Sequence, residues 1–513
     1  MTEPLRPYDQ AAYERFCSDL AHAGFRPKPD TGRRWWSGSA PACLTPLSDT
    51  ARISVVFYDG WPYRYAHVNV PGLAAEHTGG GTVCLWAEDD PAQIAGSTVD
   101  GLLRRLDEWA ASATGGWAEA DQALDPHIAF AGGSKCWAEI DLPAALGTAT
   151  NGFIGTVRGR VHGNALQLSV QEKDHPLTGP VYLRTGLDRP PRDLDQFRAA
   201  LTRRQRQSLD GGLAARHAVE ENEPSGGHDH AVLAWPRHGT RDALVLSFSG
   251  TGATLEAHPN AATPTDRASR LRRAGPDATA LSSKRVLLAG AGSVGGHVGL
   301  TLANSGLGRL TVHDSDDLKT VNLVRHVLPA GVVGYNKASG LSGWIDASAP
   351  WCDVDTASDL PYDPAGLASQ VRGHDLVIDC TGIAPMTSAL AHVCAHETIP
   401  LVSGAIYHRG ALVRIRRQTA QDVPLGQRPA NARYVALPPD PGDPGVAGFL
   451  ELGCTAPVHN APPAAVLRAA ADLAASAIDV LTGRSQLPDE IITVLSPLPD
   501  SPFDVLGQVA RPP

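Results

Sequence analysis

The residues of this chain that could do chemistry cluster between positions 284 and 337. A glycine loop, Gly290-Ala291-Gly292-Ser293-Val294-Gly295, places Gly290, Gly292 and Gly295 in a G-x-G-x-x-G pattern. Asp314, Asp316, Asn322, Arg325 and Lys337 follow it. Glycines let a backbone approach a phosphate closely, and a helix start offers free N–H groups and a positive dipole end. A carboxylate about twenty residues past such a loop, the place of Asp314, meets a ribose hydroxyl. Hydride transfer has no obvious need for the Asn, Arg and Lys. Attack on the α-phosphate of ATP does, because it builds negative charge that cations neutralise. Two cysteines could carry acyl groups, Cys84 in G-G-G-T-V-C-L and Cys454 in L-G-C-T-A-P. A thiolate is a strong nucleophile, and thioesters exchange readily.

Regular elements must position these groups. Val286 to Leu288 reads as a buried parallel strand running into the glycine loop, and Val294, Val298, Leu302 and Leu307 lie near helical spacing after it. Leu310 to Val312 forms the next strand and delivers Asp314. Further strands are expected at Asp375 to Cys380, ending on Asp379, at Pro400 to Tyr407 and at Ala411 to Arg416. A Pro/Gly-rich stretch from Thr419 to Phe449 then leads to Cys454, before a long helix from Ala464 to Leu481. Closeness to a helix start lowers a thiol pKa.

At the other end of the chain, Asp9 can cap a helix whose Tyr13, Phe16, Cys17 and Leu20 share a face, with Gly24 at its end. Strands are expected at Arg34 to Trp36, Ile53 to Tyr58 and Tyr63 to Val70, and a helix at Val99 to Trp109. Between about 126 and 265, strand-like runs alternate with turns and one basic helical stretch near Phe197 to Gln207. Val219 to His230 reads as an exposed acidic loop; His228 and His230 have metal-like spacing but no third ligand nearby.

The loop, the D-x-D of Asp314 and Asp316, the N-x-x-R of Asn322 and Arg325, and the downstream Lys337 resemble the ThiF/MoeB and ubiquitin-activating superfamily in order and spacing. The resemblance implies that Asp314 holds the ribose of ATP and that Asn322, Arg325 and Lys337 surround its phosphates. It makes Arg267 or Arg270 a phosphate contact supplied across a homodimer. It makes Cys454, in Cys-Thr-x-Pro, a transfer cysteine. The family's magnesium-binding Asp is replaced by Gly382, which leaves Asp379 or Asp316 to hold Mg. The first 115 residues resemble a ubiquitin-conjugating domain, with His77 and Cys84 near the places of its His-Pro-Asn and its cysteine, although no His-Pro-Asn is present.

Composition bounds the remainder. The chain has 513 residues, 42% of them hydrophobic, and a formal charge of −10, which argues against nucleic acid as the main partner. No apolar run reaches a membrane span, and MTEPLRPYDQ lacks a signal-peptide core. The 8 cysteines include no C-x-x-C pair, against a disulfide framework or a zinc site, so a cytoplasmic location is expected.

The expected fold is a multidomain α/β and α+β chain. It comprises a conjugating-like α+β domain (1–125), a small linker domain (126–265) and a Rossmann-like adenylation domain with a mostly parallel sheet (266–513). The order resembles bacterial conjugating–activating fusions of antiphage CBASS systems. That implies ATP-dependent activation of the C-terminus of a ubiquitin-like protein or cGAS-like nucleotidyltransferase, and transfer through Cys454 and Cys84 to a target lysine. An adenylating enzyme for sulfur transfer or peptide modification, an NAD-dependent oxidoreductase and a non-catalytic scaffold are the rival readings.

Overall fold

The computed structural model describes residues 5–509 except 74, 76, 80, 88–89, 118–125, 131–135, 188–189, 238–239 and 440–460. Two compact units divide the chain, 1–266 and 267–513.

The first unit begins with helix α1 (Gln10–His22), capped by the Asp9 carboxylate on the Ala12 N–H. A six-stranded antiparallel sheet follows, built from β1 (Arg26–Pro27), β2 (Trp35–Ser39), β3 (Arg52–Val56), β4 (His67–Asn69), β5 (Thr78–Gly79) and β6 (Thr82–Val83) in the order β1-β2-β3-β4-β6-β5. Helix α2 (Val99–Gly115), capped by Thr98, completes this part and runs six residues past the expected Trp109. The apolar stripes of α1 (Tyr13, Phe16, Leu20) and α2 (Leu102, Leu106, Trp109) join the inner sheet residues Ile53, Val55 and Val68 in one core.

Residues 126–266 hold short helices α3 (Pro126–Ala129) and α4 (Leu142–Leu146) and helices α5 (Leu194–Ala200) and α6 (Arg203–Ala214). Their strands are β7 (Trp137–Ile140), β8 (Ile154–His162), β9 (Ala165–Ser169), β10 (Leu177–Leu183), β11 (His230–Arg237), β12 (Thr240–Ser249) and β13 (Glu256–Pro264). These close into a barrel in the order β10-β11-β12-β13-β7-β9-β8. Alternation along β11 explains the packing: Val232 and Ala234 enter one core with Val181 and Val245, while Ala231, Leu233 and Trp235 enter another with Phe197, Leu209 and Leu213 of α5 and α6. The expected single helix near 197–207 is two, because Leu201 is extended and Thr202 starts a new helix with a capping box. The exposed acidic loop ends sooner than expected. Residues 219–224 are exposed, but Ser225, Asp229 and His230 are buried. The His228 ring meets the Ser208 carbonyl whereas His230 lies in the barrel, so the two histidines do not form a pair of ligands.

The second unit carries short helices α7 (Arg267–Leu271) and α8 (Ala278–Leu281), then strand β14 (Arg285–Ala289), α9 (Ser293–Asn304), β15 (Arg309–His313), α10 (Lys337–Ser348), β16 (Asp353–Ala357), α11 (Pro364–Val371), β17 (Leu376–Asp379), α12 (Ala384–Glu397), β18 (Leu401–Tyr407), β19 (Leu412–Gln418), α13 (Pro463–Leu481), β20 (Glu490–Val494) and β21 (Gly507–Gln508). The sheet order is β16-β15-β14-β17-β18-β19-β20-β21. Pairing is parallel from β16 to β18 and antiparallel from β18 to β21. This is a mixed α/β fold with a Rossmann-like half. Val286, Leu288, Leu310 and Ile378 pack on Val298, Leu302 and Leu473 on one face; Leu287 and Val377 pack on Leu367 and Leu390 on the other. Burial on both faces is what made β14 and β17 legible as continuous apolar runs.

Candidate functional site

The glycine loop leaves β14 and opens α9. Gly290 has φ +88, a conformation that favours glycine. A Cβ on Gly295 would stand 1.9 Å from the Gly290 carbonyl oxygen, so this turn closes only without a side chain. Gly292 differs: it is the N-cap of α9, has no side-chain cap, and a Cβ there would meet nothing within 4 Å among the described residues. The helix therefore starts with backbone N–H groups beside open space. That fits a phosphate group, the test any nucleotide would have to pass here.

Asp314 follows β15 and points its carboxylate at this loop. Oδ2 accepts from the Ala291 N–H at 2.7 Å and Oδ1 from the Asp316 N–H at 2.9 Å. Burial raises its pKa above the ordinary value, opposed by the Lys337 charge and these two N–H groups. Lys337 is the first residue of α10; its Nζ meets Asp316 Oδ2 at 2.7 Å, with the lysine side chain 12% and the aspartate 74% exposed. Asn322 accepts from the Lys319 N–H, and Arg325 donates to the Ala461 carbonyl at 3.3 Å. The sequence-predicted Asp314, Asp316 and Lys337 are thus brought together beside the loop.

Two further residues join them. The His326 ring donates from Nε2 to the Ala291 carbonyl and accepts the Leu328 N–H at Nδ1, which fixes its tautomer; burial lowers its pKa. Asn336 caps α10 with its side-chain oxygen on the Ser339 N–H and donates to the Asp314 carbonyl. An asparagine before a helical run is a readable cap signal; the role of His326 has no local signature.

Arg270 is held within its own unit, donating to the Ser348 carbonyl and lying 5.0 Å from the Trp351 ring centre. Arg267, on α7, is exposed. Asp379 does not fit a metal ligand. It is 1% exposed, and its carboxylate accepts from the Thr381 N–H and from the hydroxyls of Thr381, Thr387 and Ser403. Gly382 has φ +66, and no cluster of three or more metal-ligating side chains occurs among the described residues. Cys454 lies outside the described residues.

In the first unit, Cys84 follows β6, and its N–H extends the β5–β6 hairpin to the His77 carbonyl at 2.8 Å. Val83 and Leu85 are buried while Cys84 is exposed, so alternation turns the thiol away from the core. Its Sγ lies 3.6 Å from the Trp86 carbonyl, which the Tyr65 hydroxyl also approaches. His77 has φ +55 and packs on Trp117 with ring centres 4.0 Å apart. The β4–β6 register, Val68↔Val83 and Asn69↔Thr82, makes His67 and Cys84 the next positions along the two strands. Sequence spacing alone left His67 unnoticed, because strand pairing across seventeen residues is what brings β4 beside β6. Asn69 donates to the Thr82 hydroxyl at 3.4 Å, two residues from Cys84.

Comparison with known proteins decides the family of the second unit. The ThiF family model matches residues 266–431. These residues form a ThiF family domain. Over 127 residues, 25% of the chain, the sequence is 35% identical to molybdopterin-synthase adenylyltransferase of Escherichia coli and spans 51% of that protein. Over 125 residues, 24% of the chain, it is 34% identical to the ATP-dependent ubiquitin transferase-like protein Cap2 of Enterobacter hormaechei, spanning 21% of it. It is 32% identical over 125 residues to the adenylyltransferase and sulfurtransferase UBA4 of Yarrowia lipolytica, spanning 31%. The matches therefore cover about half or less of these relatives. Among solved structures, E. coli MccB with ATP aligns with 48% of this chain and 70% of its own at 18% identity and a TM-score of 0.34. The ThiF domain contains every nucleotide-site residue named above from Arg267 to Asp379, and none of these three matches reaches half of the chain. No helix among the described residues is long and apolar enough to cross a membrane.

Proposed function

We propose that this chain is an adenylating enzyme that activates a protein C-terminal carboxylate with ATP and passes the acyl group through two cysteines to an amine. The observation that carries the reading is the Asp314 carboxylate bonded to the glycine loop, with Lys337 ion-paired beside it and uncapped helix N–H groups facing open space. In this reading the N–H groups of α9 and the Arg325 and Lys337 cations receive the phosphates, and Asp314 accepts from the ribose hydroxyls. An oxygen of the substrate carboxylate attacks the α-phosphorus, and pyrophosphate leaves. The Cys454 thiolate attacks the mixed-anhydride carbonyl and AMP leaves. The Cys84 thiolate takes the acyl group from Cys454, and a lysine amine displaces it to form an amide. No step is assigned to a metal; the Asp379 carboxylate is engaged by Thr381, Thr387 and Ser403.

The adenylyltransferase names of the relatives support the first step, and the name of the Cap2 relative supports the later ones. The exposed Cys84, with its N–H on the His77 carbonyl, supports a conjugating role for residues 1–125, with 126–265 as the connecting domain. In this reading the acyl donor is a ubiquitin-like or cGAS-like protein, the setting is cytoplasmic antiphage defence, and the chain is a homodimer through residues 266–513. The sulfurtransferase name of the UBA4 relative favours a second reading, in which the adenylate serves sulfur transfer and Cys84 has no part.

The test is a thiol series on the full chain. Cys454→Ala should leave adenylation intact and remove every covalent adduct. Cys84→Ala should keep a reducible adduct on Cys454 and lose transfer to lysine. Cys84→Ser should trap an oxyester that survives reducing agent. Target modification at the parental rate by Cys84→Ala would take Cys84 out of the path and make residues 1–125 an accessory binding domain of an activating enzyme.

A further inference from the structure

The barrel interior is apolar at one end and polar at the other. Alternation puts His230 on the same side of β11 as the interior residues Val232 and Ala234, and Ser247 on the same side of β12 as Ala243 and Val245. Strand register lines up His230, Ser247 and His258 across β11, β12 and β13. Around this rung, Asn260 bridges the Ser247 hydroxyl and the Cys136 thiol, and Ser249 meets the His258 ring at 2.8 Å. Cys136, His230, Ser247, Ser249 and His258 line a cavity of about 520 Å³.

His230 stands apart within it. It is 1% exposed, and among the described residues neither ring nitrogen has a hydrogen-bond partner of ordinary geometry, although the Val157 backbone lies near enough to favour the ring's protonated form. Two strands give up side chains to make room for the ring: a Cβ on Gly159 or on Gly179 would stand 3.0 Å or less from its carbons. A buried, unpaired imidazole costs free energy unless something completes it.

The mouth of the cavity carries charge. Arg216 binds the Ser225 hydroxyl, the Phe248, His228 and Gly250 carbonyls and the Asp229 carboxylate, so its charge is cancelled and the loop 216–229 is anchored at both ends. That loop turns at Asn222, φ +70, and sets Glu220, Glu221 and Glu223 on the cavity lining. An anion is disfavoured by these carboxylates and an apolar ligand by the polar floor.

We infer that the polar end of this barrel binds a primary ammonium group, carried by a lysine side chain or by a free alkyl amine, which donates to His230 under a rim of glutamates. The ammonium supplies the donor that the neutral imidazole lacks, and the rim supplies its counter-charge. The inference does not depend on the reaction proposed for the cysteines.

Calorimetry on the full chain at pH 7.5 tests it with three probes: N-acetyl-lysinamide, its ammonium-free isostere N-acetyl-norleucinamide, and cadaverine. At least one amine should bind saturably and the isostere at least about tenfold more weakly, the scale of removing an ion from a partly buried counter-charge. Binding of the lysinamide alone assigns the site to peptide lysine, and of cadaverine alone to a free amine. The triple variant Glu220→Gln, Glu221→Gln, Glu223→Gln, on the exposed turn, should weaken binding about tenfold by loss of surface charge. His230→Phe should abolish it, while His230→Gln, which restores an acceptor, should retain part. Native melting of each variant is checked first. Equal binding of the isostere, no saturable binding of either amine to native chain, or parental affinity in the triple variant would overturn the assignment.

Discussion

Gly292→Ala should separate folding from nucleotide binding. Gly292 has φ −68, which alanine adopts without strain, and its Cβ would meet nothing within 4 Å among the described residues. Alanine is a poorer N-cap than glycine by roughly 0.5–1 kcal/mol. For a unit of this size that lowers the melting temperature by only about 1–4 °C. The added methyl nonetheless occupies the open space that the α9 N–H groups face. Losing even one charge-assisted hydrogen bond to a phosphate costs about 1.5–3 kcal/mol, or roughly 10- to 150-fold in affinity. Gly295→Ala is the contrasting variant, because its Cβ would overlap the Gly290 carbonyl at 1.9 Å and force the turn open. Equilibrium binding of a fluorescent ATP analogue beside thermal melting gives both numbers for both variants. Parental ATP affinity in a natively melting Gly292→Ala chain would refute the phosphate placement.

Other outcomes follow from the same geometry. Lys337→Ala breaks an ion pair whose aspartate is 74% exposed, so it should cost at most about 1 kcal/mol of stability; ATP–pyrophosphate exchange should fall roughly 10²-fold or more, and unchanged exchange would remove Lys337 from the site. Asp314 accepts at full strength on both oxygens only when ionised, and burial raises its pKa, so ATP affinity should fall on acidification at a pH above that of an ordinary Asp. Asp314→Asn should show no such acid limb in a binding titration. His230 has its pKa lowered to about 4 by burial, so below pH 6.5 the unfolded chain takes a proton that the folded ring refuses. The first unit should therefore lose stability as pH falls from 6.5 towards 4, by roughly 1 kcal/mol per pH unit from this group. Urea unfolding of His230→Phe should show a shallower slope, and an identical slope would contradict the burial of a neutral ring.

How legible each part was in the sequence depends on where its contacts lie. The nucleotide module could be read because its strands are buried on both faces and its polar residues follow within one βαβ unit. β16 escaped notice because Asp353 to Ala357 is an exposed, polar edge strand with no apolar period. The barrel is not legible as a barrel because polar interior residues at its open end, His230, Ser247, Ser249 and His258, interrupt the alternation that marks a strand. Asp379 is a metal candidate in the sequence because Gly382 stands where the resemblance places a magnesium-binding Asp. The hydroxyls that occupy it come from Thr381, Thr387 and Ser403, and no local pattern announces that convergence. The outward turn of Cys84 is written in V-C-L, but the placing of β4 beside it exists only once β4 and β6 pair.

The central claim is that the ThiF domain of this chain holds ATP for adenylation and not a dinucleotide for hydride transfer. Calorimetric titration of the full chain with ATP and, separately, with NAD tests it without knowledge of the acyl donor. The account predicts saturable ATP binding that Arg325→Ala and Lys337→Ala weaken, with NAD bound far more weakly or not at all. Tight NAD binding with no measurable ATP binding, in a natively melting chain, would contradict it.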